Sequence, residues 1–204
     1  MPRKSNYSTQ IVLDKAFELA RERGIDSVTY NGLARELGMK PQSMYRYVPD
    51  LGQLRVALLS GFLNELMDKI AGATEGLAPV DALRTFAVMH YDECHANRCY
   101  YESFALMHRY EIIEDLREPL TRQAELLRKP LAQIIRDESE VNRYTQLMMA
   151  VILGYAQMAQ KAFVVESLAD NREAYVKSIE EFINGVAGAS RCAARTGAQE
   201  SPVG

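Results

Sequence analysis

The stretch ELGMKPQSMYRYVPD, Glu36–Asp50, decides how the rest of the chain is read. On either side the sequence is plain amphipathic helix. Here a glycine stands at 38 and a proline at 41, followed by Gln, Ser, Tyr, Arg and Tyr in close succession. Gly38 stops one short helix, because glycine takes the positive φ of a helix C-terminus without strain. Pro41 starts another, because the first helical turn has no use for the N–H that proline lacks. Leu33, Leu37, Met39, Met44 and Val48 can face inward and lock the two helices together. Lys40, Gln42, Ser43, Tyr45, Arg46 and Tyr47 then face outward from the second helix and its entry. Two short helices joined by a glycine turn, the second presenting polar side chains, form a helix-turn-helix. A merely solvated helix face is the plainer alternative.

The helical period continues on both sides. A first helix is expected from Ser8 or Thr9 to Gly24, with Ile11, Ala16, Phe17 and Ala20 as its apolar face. Thr29 is the expected N-cap of the second helix. Val48-Pro49 ends the third, and Asp50 caps a longer fourth, on which Leu54, Leu58, Phe62, Leu66 and Ile70 recur every fourth residue. The loop GATEGLAP, Gly72–Pro79, is the best boundary in the chain. Beyond it Leu83, Ala87, His90 and Cys94 form one stripe of a helix that breaks near Asn97. Further helices are expected over roughly 99–108, 112–137, 140–166 and 170–187, with Pro119 and Pro130 splitting or kinking the 112–137 helix. Four segments are expected: 1–50, a helix-turn-helix domain; 51–72, a connecting helix; 73–190, a second helical domain; and 191–204, a disordered tail.

The totals limit what such a chain does. Its 204 residues, 48% hydrophobic and 25% charged, suit a soluble all-α protein able to bury a core. The longest apolar run, Leu147–Ala159, is too short to span a membrane, and no apolar segment follows the basic N-terminus as in a signal peptide. Three cysteines without a CxxC pair point to a reducing compartment, so a cytoplasmic location is expected. The net charge of −3 hides an asymmetry: residues 1–60 hold nine Lys/Arg against six Asp/Glu, and the remainder holds 15 against 21. A basic end on an acidic body suggests that only the end meets a polyanion. No GxSxG elbow, P-loop or dinucleotide fingerprint is present, and Asp92 lies off the helix face shared by His90 and Cys94, so no catalytic residues and no cofactor are expected.

The register is more specific than a generic motif. TYNGLARELGMKPQSMYRYVPDLGQLRVALL, Thr29–Leu59, resembles the DNA-binding domain of the tetracycline-repressor (TetR) family, over roughly residues 8–65. Thr29, Ala34, Gly38, Pro41, Tyr45 and the helix after Asp50 fall in the family's register, with Met44 and Val48 in its Leu and Phe places. The resemblance implies an N-terminal three-helix domain and a C-terminal helical ligand-binding and dimerisation domain. It implies a homodimer on a palindromic double-stranded operator, most often as a repressor. The DNA-binding residues would be Thr29, Lys40, Pro41, Gln42, Ser43, Tyr45, Arg46 and Tyr47. Gln pairs with adenine, Arg with guanine and Ser with several bases, while Thr29, Lys40, the tyrosines and the helix N-terminus would hold phosphates, helped by Arg3 and Lys4. Asn31, Gly32 and Leu51 depart from the pattern; Leu51 stands where many members carry a phosphate-binding Lys.

The body of the chain supports a dimer on its own terms. The segment from Arg143 to Phe163 is apolar on more than one face, and the last helix brings Val176, Ile179, Phe182, Ile183 and Val186. Leu147, Val151, Gly154, Ile179, Phe182 and Ile183 are the expected interface of a four-helix junction. A small hydrophobic effector is expected among Phe86, His90, Cys94, Phe104, Met107 and Tyr155, with His90 or Tyr155 as the orienting polar group. Two alternatives stand beside this: a DNA-binding protein without an effector, and a metal or thiol-redox sensor through His90, Cys94 and Cys99. All three histidines, His90, His95 and His108, lie near that region, but no ligand set at metal spacing is evident, and no metal is expected.

Overall fold

The computed structural model describes residues 7–109, 114–160 and 172–197. Every regular element among them is helical: α1 Thr9–Arg23, α2 Tyr30–Glu36, α3 Pro41–Met44, α4 Leu51–Thr74, α5 Pro79–Ala96, α6 Arg98–Leu106, α7 Glu114–Ile134, α8 Glu138–Gln160 and α9 Arg172–Gly197. Short 3-10 turns lie at Ile25–Ser27 and Met107–Arg109. The chain divides into two compact units, Met1–Glu65 with Ala96–Pro119, and Leu66–His95 with Leu120–Gly204.

In the first unit the caps form where the residue chemistry predicts. Ser8 accepts from Ile11 N at the start of α1, and Gly24 closes that helix. Asp50 accepts from the backbone of Gly52 and Gln53 at the start of α4. The α1 face is Val12, Ala16, Leu19 and Ala20, all buried; Ile11, expected inward, is 41% exposed. Phe17 meets Phe62 of α4 edge-on at 5.1 Å. The same ring lies so close to α4 that a Cβ on Gly61 would sit 2.4 Å from it. The Arg55 guanidinium donates to the Val28 and Asp26 carbonyls, tying α4 to the link before α2. Cys99 Sγ of α6 donates to Ala20 O, and the buried Glu102 carboxylate accepts from Ile25 N at 2.7 Å. Segment 96–119, which the sequence placed in the second domain, therefore belongs with the N-terminal helices.

The second unit packs the stripe of α5 (Leu83, Phe86, Ala87, His90, Cys94) with buried residues of α7, α8 and α9, among them Leu127, Met148, Ile152, Tyr175 and Ile179. Tyr175 donates to Ala87 O at 2.8 Å, and the Arg172 fork grips both oxygens of Asp92 at 2.6 and 2.7 Å.

Three expectations about element length change. The third helix is a single turn, Pro41–Met44, and the chain continues as a turn through Tyr45–Tyr47 instead of as helix to Val48. α7 runs unbroken through Pro119 and Pro130, both buried on its packed side with Leu116, Leu127 and Leu131. α9 continues to Gly197, into the stretch expected to be disordered, carried by the helix formers Ala193, Ala194 and Arg195. Arg3, Lys4 and residues 161–166 and 198–204 lie outside the described residues, as do the side chains of His108 and Cys192.

Gly61→Ala should destabilise the protein by about 1–3 kcal/mol, because the added methyl meets the Phe17 ring. Gly72→Ala, at a helical position where a Cβ meets nothing within 4 Å, should be neutral or stabilise by up to about 1 kcal/mol. Denaturant unfolding of both variants checks this; equal effects would show that the Phe17 contact does not fix α1 on α4.

Candidate functional site

The helix-turn-helix is built from its inner face outward. Leu33, Met44 and Val48 are almost fully buried, with Leu37 7% exposed. Gly38 takes φ 64°, and Met39 N reaches back to Ala34 O, closing α2. Lys40 caps α3 without a side-chain bond, and Pro41 holds its first position. After Met44 the chain turns through Tyr45–Tyr47, closed by Tyr47 N and Val48 N on Met44 O. Outward from this anchor Lys40, Pro41, Gln42, Ser43, Tyr45 and Arg46 are exposed and Tyr47 is half-buried.

Two roles shift on inspection. The Thr29 hydroxyl accepts from Gly32 N at 3.0 Å, so it is engaged as the cap of α2. A four-residue α3 sums too few peptide dipoles to attract phosphate at its N-terminus, which leaves that work to the Lys40 charge. Sequence reasoning also missed Tyr30 and Tyr7. The Tyr30 ring packs on Tyr45 at 4.3 Å while its hydroxyl donates to Pro49 O, which steadies an otherwise exposed aromatic. The Tyr7 hydroxyl donates to Leu37 O at 2.6 Å, pinning the start of the chain beside the turn. Tyr30 lies directly after a capping Thr, and that position was the available signal.

The family model for bacterial regulatory proteins of the tetR family matches residues 12–54, the segment that folds as α1 to the start of α4. This N-terminal domain is of the tetR-family type. The chain is 26% identical over 118 residues to the HTH-type transcriptional regulator YobS of Bacillus subtilis, covering 56% of this chain and 62% of YobS. The TetR fold extends further than the sequence likeness. FadR of Bacillus subtilis, solved with stearoyl-CoA, superposes with a TM-score of 0.64 at 15% identity, over 85% of this chain and 96% of FadR. AibR, solved with isovaleryl coenzyme A and operator DNA, superposes with a TM-score of 0.60 at 14% identity, over 84% of this chain and 95% of AibR.

In the second unit Phe86, His90 and Cys94 lie together on the buried face of α5. Phe86 stacks on His90 at 6.0 Å, and Cys94 Sγ lies 3.8 Å from His90 Nδ1. Gln123 of α7, not anticipated from the sequence, joins them: its Nε2 lies 3.3 Å from His90 Nε2. The signal was a glutamine among Leu116, Leu127 and Leu131 on the buried stripe of α7. Tyr155 lies in a neighbouring aromatic cluster, its ring 5.0 Å from Tyr175 and its hydroxyl 3.2 Å from Ser178 Oγ. Phe104 and Met107 belong to the first unit.

The cysteines of the sensor alternative are both buried. Burial pushes the Cys94 thiol up to about 12 and the Cys99 thiol up to about 11, so neither is a thiolate at neutral pH. Among the described residues no group of three His, Cys, Asp or Glu side chains gathers to hold a metal ion. Cys99 also falls in the other unit.

The expected dimer residues separate into two groups. Ile179 and Ile183 are each 1% exposed in the core of their own unit. Leu147 is 42% exposed, Gly154 is exposed, and Val151 and Phe182 are half-buried.

Burial pulls the wholly buried His90 imidazole down from 6.5 to about 4. The unfolded chain therefore takes up this proton near pH 6.5 and the folded chain only near pH 4, so the contribution is present above pH 6.5 and lost as pH falls. Between pH 7 and 5 the protein should lose about 2 kcal/mol through this group. Thermal melts should show that slope, and His90→Gln should flatten it over the same window.

Proposed function

We propose that this protein is a ligand-responsive transcriptional regulator, most often acting as a repressor, that binds a palindromic operator as a homodimer in the cytoplasm. The observation that carries the reading is α3 with the turn that follows it: a row of exposed Gln42, Ser43, Tyr45 and Arg46 side chains over the buried anchors Met44 and Val48. Laid in a major groove, Gln42 pairs with adenine and Arg46 with guanine, while Lys40, Tyr45 and Tyr47 hold phosphates. Pro41 fixes the entry of this turn.

One α3 covers one half-site, so a second copy is needed for a palindrome, with half-sites one helical turn or a multiple of it apart. Leu147, Val151, Gly154 and Met158 follow one another at helical spacing along α8, and Leu147 and Met158 are each more than one-third exposed. An apolar stripe of this kind is buried by pairing. A Cβ on Gly154 would meet nothing within 4 Å, which leaves room for a neighbouring helix. Phe182 flanks the stripe in this reading, and Ile179 and Ile183 support it from inside their own unit.

A small apolar molecule held near Phe86, His90 and Cys94 favours a conformer whose reading heads no longer fit the operator. DNA is released because the two conformers bind it with different affinity. That a protein of this fold responds to a ligand is supported by FadR and AibR, solved with acyl-CoA molecules; the neutral His90 surroundings set a different ligand chemistry here.

Selection of bound duplexes from a random DNA pool tests the reading, and a palindromic consensus is the expected product. On that duplex, Gln42→Ala or Arg46→Ala should each cost about 1–3 kcal/mol and relax the base preference at one position per half-site. Lys40→Ala should weaken all duplexes alike and flatten the salt dependence. Unchanged affinity and base choice in the first two variants would remove α3 as the reading element. Gly154→Glu should convert the dimer to monomers in sedimentation while leaving helical content unchanged.

A further inference from the structure

The described residues leave two buried side-chain polar atoms without a hydrogen-bond partner, Arg55 Nε and Gln123 Oε1. Arg55 is otherwise engaged, donating to two backbone carbonyls in the first unit. Gln123 is different. It is 2% exposed, sits on the leucine stripe of α7, and its single contact goes through the amide nitrogen to His90 Nε2. Its carbonyl oxygen, an acceptor for two hydrogen bonds, has nothing to accept. A leucine at 123 would continue the stripe and leave no orphan. A buried acceptor left open destabilises the fold, and such groups persist where they serve a site.

The surroundings define what that oxygen is open to. The buried polar side chains described in the second unit are His90, Gln123 and Thr145. Thr145 is satisfied within its own helix, its hydroxyl donating to Val141 O at 2.8 Å. None of the three carries a charge at neutral pH, since burial keeps His90 neutral. A carboxylate or phosphate buried here would find no cation among the described buried side chains, whereas an apolar body would find Phe86 and Cys94. A single water satisfies the site poorly, because a buried water needs roughly two to four polar partners.

We propose that Gln123 Oε1 is the polar anchor of the effector site, and that the effector is an uncharged, largely apolar molecule donating one hydrogen bond from a hydroxyl or N–H. This rests on the effector reading given above and narrows it to a ligand chemistry. His90 acts as the positioning residue, accepting from the Gln123 amide so that the oxygen turns toward the ligand.

The test uses the full-length protein and matched probes that differ only in the donor: 1-decanol against 1-methoxydecane, 4-butylphenol against 4-butylanisole, and decanoate as an anion lacking a donor at pH 7. Binding is read by calorimetry and thermal shift. At least one alcohol or phenol should bind roughly tenfold tighter than its own methyl ether. Decanoate should bind no better than the ether. Gln123→Leu and Gln123→Met should erase the difference within each pair while retaining the helical circular dichroism of the parent. Equal affinity of alcohols and ethers, a preference surviving both variants, or no binding by any probe overturns the proposal. Release of the selected duplex separates the two readings. Donor-dependent binding without release leaves this site standing and sinks the effector role; release by a probe indifferent to position 123 does the reverse.

Discussion

A single turn of helix cannot hold its own shape, and α3 has four residues. The exposed placement of Gln42, Ser43, Tyr45 and Arg46 depends on Met44 and Val48 being buried beside Leu33 and Leu37. Burial of two side chains, each worth roughly 1.5–3 kcal/mol, replaces the cooperative hydrogen bonding that a longer helix would supply. The glycine turn at Gly38 and the proline at 41 set the angle, but the apolar contact fixes it. Tyr30 adds a lateral brace by stacking on Tyr45, so the exposed tyrosine loses less freedom when it meets a surface.

The same economy governs the corner behind the reading turn. The Ile25 N–H, at the 3-10 turn between α1 and α2, is satisfied by Glu102 from far along the sequence. Arg98 pairs with that carboxylate from the preceding turn of α6. Removal of the carboxylate would leave a buried donor open, so α6 is held to this corner by polar bookkeeping as well as by Cys99 and Tyr100. The helix thereby becomes part of the unit that carries α3.

The interior of the second unit follows the opposite logic. Among its described residues most buried groups are apolar or hydrogen-bonded, and the exception is the carbonyl oxygen of Gln123. Sequence reading found His90 because it falls on the stripe with Leu83, Ala87 and Cys94. It passed over Gln123 because α7 is rich in polar residues, and one more glutamine carries no mark until the buried face is known. Ile179 and Ile183 show the same limit. A helix apolar on more than one face has two surfaces to bury, but which goes to the core and which to a partner depends on its neighbours.

Short-range chemistry made several features legible from the residues alone: helices throughout the described residues, the caps at Ser8, Thr29 and Asp50, the turn at Gly38, and the register that follows from their spacing. These are local, because a cap or a turn is satisfied within a few residues of itself. Tertiary packing was needed to show where segment 96–119 belongs and that α7 passes through two prolines. It alone placed Glu102 on Ile25 and Gln123 on His90. Those outcomes rest on partners many residues apart, and burial is a property of the packed chain rather than of any stretch within it.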